Sequence, residues 1–486
     1  MYTMNTLKSF STILVAVIFV LASCKKNTIA VNPTNSTINN NPPGAFTITI
    51  SDYSSDTAKI NWTRAVDPDN DSVTYKIYLN DTLKAQDLKE LNYTFRNLAE
   101  LKSYDVKVVA VDSKLKETPS SMNFTTKKYW LKFFQKLEYG SISGYSSQGC
   151  GRMIKSNVGG YVIIGKTELL NSNIIKFVVI KIDSLGNENW KKYYDYDTRN
   201  SDFLRITSTT NGYVLSAANQ IIKIDNNGNL LWQKDSADSS LIKGTATDDF
   251  GNIYTVGNVY NTALYKVEAS FCKYNQHGEH LWSKNISYSV RDEFIDIKVI
   301  DNNDLIILGA TGDPDADFLV VKSDSEGNIF WHKIYPDNGY AFPENIIRTS
   351  EGNFVFTGFS LGAYVIPYFY LQMIDPNGNN LWNYYVNDNN TKGYSVAETN
   401  DNNLIITGGY QLTYTAQSAL YKFDKNGNKL WEKLYAEFNT QLFNKTVIPT
   451  SDGGYIINVQ KSKAYNTPPE TDQIYIFKTD DKGEFN

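Results

Sequence analysis

Histidine and cysteine are the scarce residues of this 486-residue chain, with three of each. So few histidines leave little support for a Ser-His-Asp or Cys-His catalytic arrangement. Three cysteines make no disulfide framework. Cys150 and Cys272 could pair only if folding brought their Cα atoms within about 7 Å. The plainer reading is two separate thiols, and the pairing stays open. Surplus positive charge is missing as well: 47 Lys and Arg against 52 Asp and Glu give a net charge of −5. Nucleic-acid binding needs a basic stripe, so no nucleic-acid partner is expected. Long apolar runs are also missing. The main one, Phe10 to Leu21, is about a dozen residues, too short for a mature membrane-spanning helix.

Aromatics, by contrast, are plentiful: 34 Tyr, 24 Phe and 8 Trp. That composition suits a β-rich globular protein, and the length predicts two or more domains.

The apolar run follows Lys8 and ends in Leu21-Ala22-Ser23-Cys24. A basic start, a short apolar middle and small residues at the end mark a secretory signal. The ending resembles the lipobox of bacterial lipoproteins. The resemblance implies cleavage before Cys24 and acylation of its thiol, so residues 1–23 are a signal peptide and the partner is a membrane reached through a lipid anchor. The expected location is the bacterial cell envelope, at the outer membrane, with the face left open. Residues 24–43 are rich in Asn, Thr, Ser and Pro, a composition that reads as a flexible tether.

From 44 to 127 short alternating segments predict a β-sandwich. They include Phe46-Ile48-Ile50, Ala58-Ile60-Trp62, Val73-Tyr75-Ile77-Leu79 and Tyr104-Val106-Val108-Ala110. Trp62 on the second strand and the pair Leu98 and Tyr104 make this segment resemble a fibronectin type III domain. The resemblance implies a spacer or binding module and no chemistry. Asp67, Asp69 and Asp71 alternate in the loop after Trp62, like the opening of a calcium loop. Ser72 stands where an EF-hand needs Gly, and Tyr78 where it needs Glu. A solvated acidic turn is therefore the plainer expectation, and no metal is expected.

Residues 128–486 repeat one phrase, Asp/Asn-x-x-Gly-x-x-x-Trp. It ends at Trp190, Trp232, Trp282, Trp331, Trp382 and Trp431, at steps of 42, 50, 49, 51 and 49 residues. A seventh copy begins at Asp480 and Gly483, one residue short of its Trp. A period near fifty with four short strands predicts β-propeller blades. The segment opens with an orphan strand at Trp130, so pairing first strand with last would complete a seven-bladed propeller. The fold class is thus all-β, a fibronectin type III-like sandwich plus a seven-bladed β-propeller closed by pairing of its N- and C-terminal strands.

The phrase resembles the tryptophan-docking motif of quinoprotein-like propellers, and more closely secreted bacterial propellers with Asp-x-x-Gly-Asn-x-x-Trp repeats. The chain departs from quinoprotein dehydrogenases in blade count, in lacking their Ala-x-Asp-x-x-Thr-Gly phrase and in having no adjacent cysteine pair. No cofactor is expected, and the Trp, Asp and Gly of the phrase are structural. His277 and His280 flank a hairpin turn, and His332 follows Trp331, all read as surface residues.

Asp313, Asp315 and Asp317 make a second acidic turn, read as a plain loop. Tyr364, Tyr368, Tyr410 and Tyr414 are candidates for an aromatic rim contacting a ligand, with packing between blades an equal alternative. The expected function is a lipid-anchored binding or scaffolding protein that takes a protein, peptide or glycan at one mouth of the propeller. Its rivals are a hydrolase or lyase acting on glycans or peptides there, and a structural subunit of an envelope complex.

Overall fold

The computed structural model describes residues 40–484 apart from 54–57, 97, 100–101, 127–130, 137–149, 169–174, 196–202, 239, 338, 363–365, 386–389, 412–415, 436–439 and 464–472. Among the described residues, strands make up the regular structure except for one 3-10 turn at Asp301–Asn303. None forms a helix long and apolar enough to cross a membrane.

The smaller unit is the expected sandwich. Ile48–Tyr53, Ala58–Trp62 and Asn92–Phe95 form one sheet; Thr74–Leu79, Thr82–Leu88, Ser103–Val111 and Glu117–Thr125 form the other. Period-two alternation turns Ala58, Ile60 and Trp62 toward Tyr75, Ile77 and Leu79, all buried in one core. The Trp62 and Tyr75 rings lie 5.4 Å apart. The Ala99 N–H donates to the Tyr104 hydroxyl at 2.7 Å, and Leu98 beside it is buried.

The larger unit contains six four-stranded antiparallel blades and a composite seventh. The seventh joins Thr440–Pro449, Tyr455–Lys463 and Gln473–Thr479 to Leu131–Lys136, the first strand of this unit. Gln473 stands opposite Lys136 and Phe477 opposite Leu131 in an antiparallel ladder. A single parallel bridge, Ala416 to Gln441, links the sixth blade to the seventh.

The first strand of each blade lines the axis. In order these inner strands are Cys150–Lys155, Arg205–Thr209, Leu241–Thr247, Asp292–Val299, Tyr340–Arg348, Thr391–Glu398 and Thr440–Pro449. Each contacts the next, and the last returns to the first. Apolar cores fill every blade boundary, including the seam, where Ile456, Ile474 and Ile476 of blade seven meet Met153, Ile163 and Val178 of blade one.

The repeated phrase acquires a physical explanation. In blade two, Asp225 accepts the N–H groups of Asn227 at 2.9 Å and Asn229 at 2.7 Å, and the Asn229 amide returns a bond to its second oxygen. The Gly of the phrase adopts a left-handed conformation, φ +85° at Gly427, which favours glycine. It is also the floor on which the preceding blade's Trp rests. A Cβ added at Gly427 would lie 2.7 Å from Trp382, and one at Gly483 would lie 3.2 Å from Trp431. The truncated seventh phrase therefore still receives its neighbour's indole.

Trp382 donates its indole N–H to the Lys425 carbonyl at 2.9 Å, and Tyr435 donates to the Gly483 carbonyl at 2.7 Å. Gly159 has the same backbone, φ +84°, but open space around it. Gly427→Ala should therefore destabilise the propeller more than Gly159→Ala, by about 1–3 kcal/mol from overpacking against Trp382. Urea unfolding of the two variants checks this; equal losses would mean the Trp contact contributes nothing.

Candidate functional site

Six of the seven inner strands carry a break in register against their neighbour; only Arg205–Thr209 runs straight. In blades three to seven the extra residues are Lys243, Ile295, Glu344, Tyr394 and Lys445. A bulge leaves its residue out of the ladder, and a carbonyl freed in the interior needs a donor. Arg152 supplies one for three blades. From blade one its guanidinium donates to the carbonyls of Glu344 at 2.7 Å, Tyr394 at 3.0 Å and Lys445 at 3.1 Å. It also lies 3.6 Å from the Glu344 carboxylate. One side chain thus ties blades five, six and seven to blade one across the axis.

The opposite side of the channel is built around Asp296 of blade four. It accepts from the Asn345 amide at 2.8 Å and the Ile346 N–H at 3.1 Å, and Lys298 donates to it at 2.6 Å. Burial by itself would raise the Asp296 carboxyl; Lys298, Arg152 and Arg205 outweigh it and hold the group below its ordinary range. Asp296 is consequently a fixed negative charge.

Arg205 is buried against the Phe203 ring. Burial, reinforced by Arg152, pushes its guanidinium down to about 10. Lys298 keeps 37% of its side chain accessible deep inside the wheel, because that space is the channel itself.

Lys392 of blade six stands apart from this network. Its ammonium sits 4.7 Å from the centre of the Phe359 ring, which stacks on Phe342. It has no hydrogen-bond or ion-pair partner among the described residues, and it remains partly accessible. Burial lowers its pKa; Glu344 works against that shift and Lys445 adds to it. Each blade thus contributes a charge to the interior: Arg152, Arg205, Lys243 paired with Glu293 at 2.7 Å, Asp296 with Lys298, Glu344, Lys392 and Lys445. Cations predominate, in a chain whose net charge is negative.

At the turn ends of the inner strands an open cleft of about 780 Å³ is bordered by Lys298, Asp301, Arg348, Ser350 and Glu398. Its charges are largely paired within it. Arg348 meets Asp301 at 2.5 Å, and Glu398 accepts from the Ser350 N–H and hydroxyl. Lys298 connects the cleft to the channel.

Two of the four rim candidates lie among the described residues. Tyr410 is on the second strand of blade six and donates to Glu432 on that blade's Trp strand at 2.7 Å. Tyr368 is on the third strand of blade five, opposite Ser360. Tyr364 and Tyr414 lie outside the described residues, as does Cys24. In the sandwich, Asp67 and Asp71 converge with Asp112, which the sequence reading did not single out. Asp69 instead turns to Asn41, whose N–H donates to it at 2.6 Å.

Residues 41–126 match the family model described as the fibronectin type III domain. The sandwich is a fibronectin type III domain. No curated protein matches the chain. Among solved structures, the WD40 domain of Neurospora crassa Pan2 is 10% identical, with a TM-score of 0.45, over 68% of this chain and 89% of that one. The β-propeller domain of the Trilobed protease from Pyrococcus furiosus is 10% identical, with a TM-score of 0.39, over 70% of this chain and 98% of that one. A protein of unknown function from Bacteroides caccae is 13% identical, with a TM-score of 0.37, over 56% of this chain and 90% of that one. Likenesses at these scores bring no activity to this chain.

Outside the fibronectin type III domain, three further reactive side chains among the described residues, His280, His332 and Cys272, have structural contacts. His280 bonds Ser283 at 2.7 Å, and His332 stacks on Tyr288. Cys272 is a free, buried thiol on the third strand of blade three. Burial pushes it up to about 11, so it is a poor nucleophile near neutrality.

Proposed function

We propose that this chain is a lipid-anchored binding protein of the bacterial cell envelope, in which the fibronectin type III domain is a spacer and the propeller channel receives an anionic group of its ligand. The observation that carries this reading is Lys392, a partly accessible channel cation with no hydrogen-bond or ion-pair partner among the described residues. An anion entering there replaces the water lost on burial and relieves the repulsion from Lys445. Phe342 and Phe359 beside it offer a flat apolar flank. A carboxylated sugar ring has both features, an anion and a C–H face, so an acidic glycan is the favoured ligand. Asp296, held ionised, suits anchoring of the cationic wall rather than proton donation.

Contact with an envelope partner along the circumference is a second reading, with its own observation. The residue before the Trp is apolar and about half exposed in five blades: Leu231, Leu281, Phe330, Leu381 and Leu430.

A glycan and peptide array probed with the propeller-containing chain tests the ligand. Uronate-bearing oligosaccharides should bind and their neutral counterparts should not. Lys392→Met should weaken binding roughly ten- to hundredfold, the worth of a charged hydrogen bond, while Glu344→Gln should strengthen it. Equal binding of neutral glycans, or an unaltered Lys392→Met, would refute the assignment. The anchor is tested by fractionation: wild type should sediment with membranes and Cys24→Ser should be released. A variant that still sediments would show that Cys24 carries no lipid.

A further inference from the structure

We infer that the fibronectin type III domain binds one calcium ion between Asp67, Asp71 and Asp112. One carboxylate oxygen from each lies within 4.8 Å of the other two. That is the span across a cation with oxygen ligands at about 2.4 Å, the distance calcium prefers.

The turn is exposed to solvent at Pro68, Asp69, Asn70 and Ser72, but not at Asp67. Asp67 is only 5% exposed. Its Oδ1 accepts the Asp69 N–H at 2.9 Å and the Asp71 N–H at 3.1 Å, which fixes the carboxylate. Its Oδ2 is buried without a partner, and the Oδ1 of Asn40 is in the same state. A buried carboxylate oxygen with nothing to bond is costly, and a hard cation is the partner that satisfies several such oxygens together.

Asp112 is fixed in the same manner, accepting the N–H groups of Lys114 and Lys116 at 2.8 Å each. Asn40 donates to its other oxygen at 2.7 Å. Two Asx-type turns from different loops therefore present rigid carboxylates to one point. Ser113 donates to Asp71 Oδ1 at 3.2 Å.

One cation already borders the site. The Lys114 ammonium lies 3.0 Å from Asp71 Oδ2, but half of its side chain is exposed. Such an ion pair contributes little and breaks readily, so Lys114 swings out as calcium enters. Asn40 gives the site its consequence. It is the first described residue and falls inside the 24–43 segment read as a tether, so an ion between Asp67, Asp71 and Asp112, with Asn40 bonded to Asp112, clamps the domain's entry point.

Calorimetric titration of CaCl₂ into the EDTA-treated full chain tests this. Asp67→Asn and Asp112→Asn should each remove one binding event or weaken it at least about tenfold. Asp69→Asn should leave it within about twofold, and Lys114→Ala should tighten it. Because the aspartate variants could misfold, the Lys114→Ala gain is the independent arm. The inference is overturned if neither wild type nor Lys114→Ala shows a site at about 10 mM calcium, above the weakest extracellular modules. It is equally overturned if Asp67→Asn and Asp112→Asn titrate like wild type, or if MgCl₂ binds as tightly as calcium.

Discussion

The propeller depends on one backbone ladder, the antiparallel pairing of Leu131–Lys136 with Gln473–Thr479. A blade buries its faces only against neighbours, so an open row of seven would expose two apolar faces and an unpaired edge. Joining the outermost strand of blade seven from the opposite end of the unit removes both problems. The seam also places Ile456, Ile474 and Ile476 against blade one. Sequence-distant residues, rather than local ones, hold the wheel shut.

Closure is what gives the axis its chemistry. Only in a closed ring can Arg152 of blade one reach bulge carbonyls of blades five, six and seven. The same convergence packs Arg205, Lys298, Lys392 and Lys445 into one interior with few carboxylates. The cost of crowding like charges is met partly by Asp296 and Glu344 and partly by stacking on Phe203 and Phe359. Under the proposed function, Lys392 beside Phe359 is where an anion is received.

Much of the architecture is legible in the sequence because it repeats. The Asp-x-x-Gly-x-x-x-Trp phrase encodes an Asx-type turn, a left-handed Gly and an indole that docks on the next blade's Gly, so its recurrence counts blades. Trp62, Leu98 and Tyr104 mark the fibronectin type III core in the same way. The site is not legible because it does not repeat. At one level of the channel the blades contribute Lys243, Ile295, Glu344, Tyr394 and Lys445, unlike residues about fifty positions apart. Tyr368 and Tyr410, candidates for a rim or for packing between blades, lie on the third strand of blade five and the second strand of blade six. Asp112 is illegible for a similar reason: over forty residues separate it from Asp67, and only the sandwich brings them together.

Hydrogen–deuterium exchange of the amides in Leu131–Lys136 tests the closed wheel most directly. The account predicts slow exchange of these amides in the intact chain, matched to that of Gln473–Thr479. It also predicts loss of protection at Leu131–Lys136 and at the blade one boundary when the chain is cut before Gln473. Exchange of Leu131–Lys136 within seconds in the intact chain, or protection that survives the truncation, would contradict it.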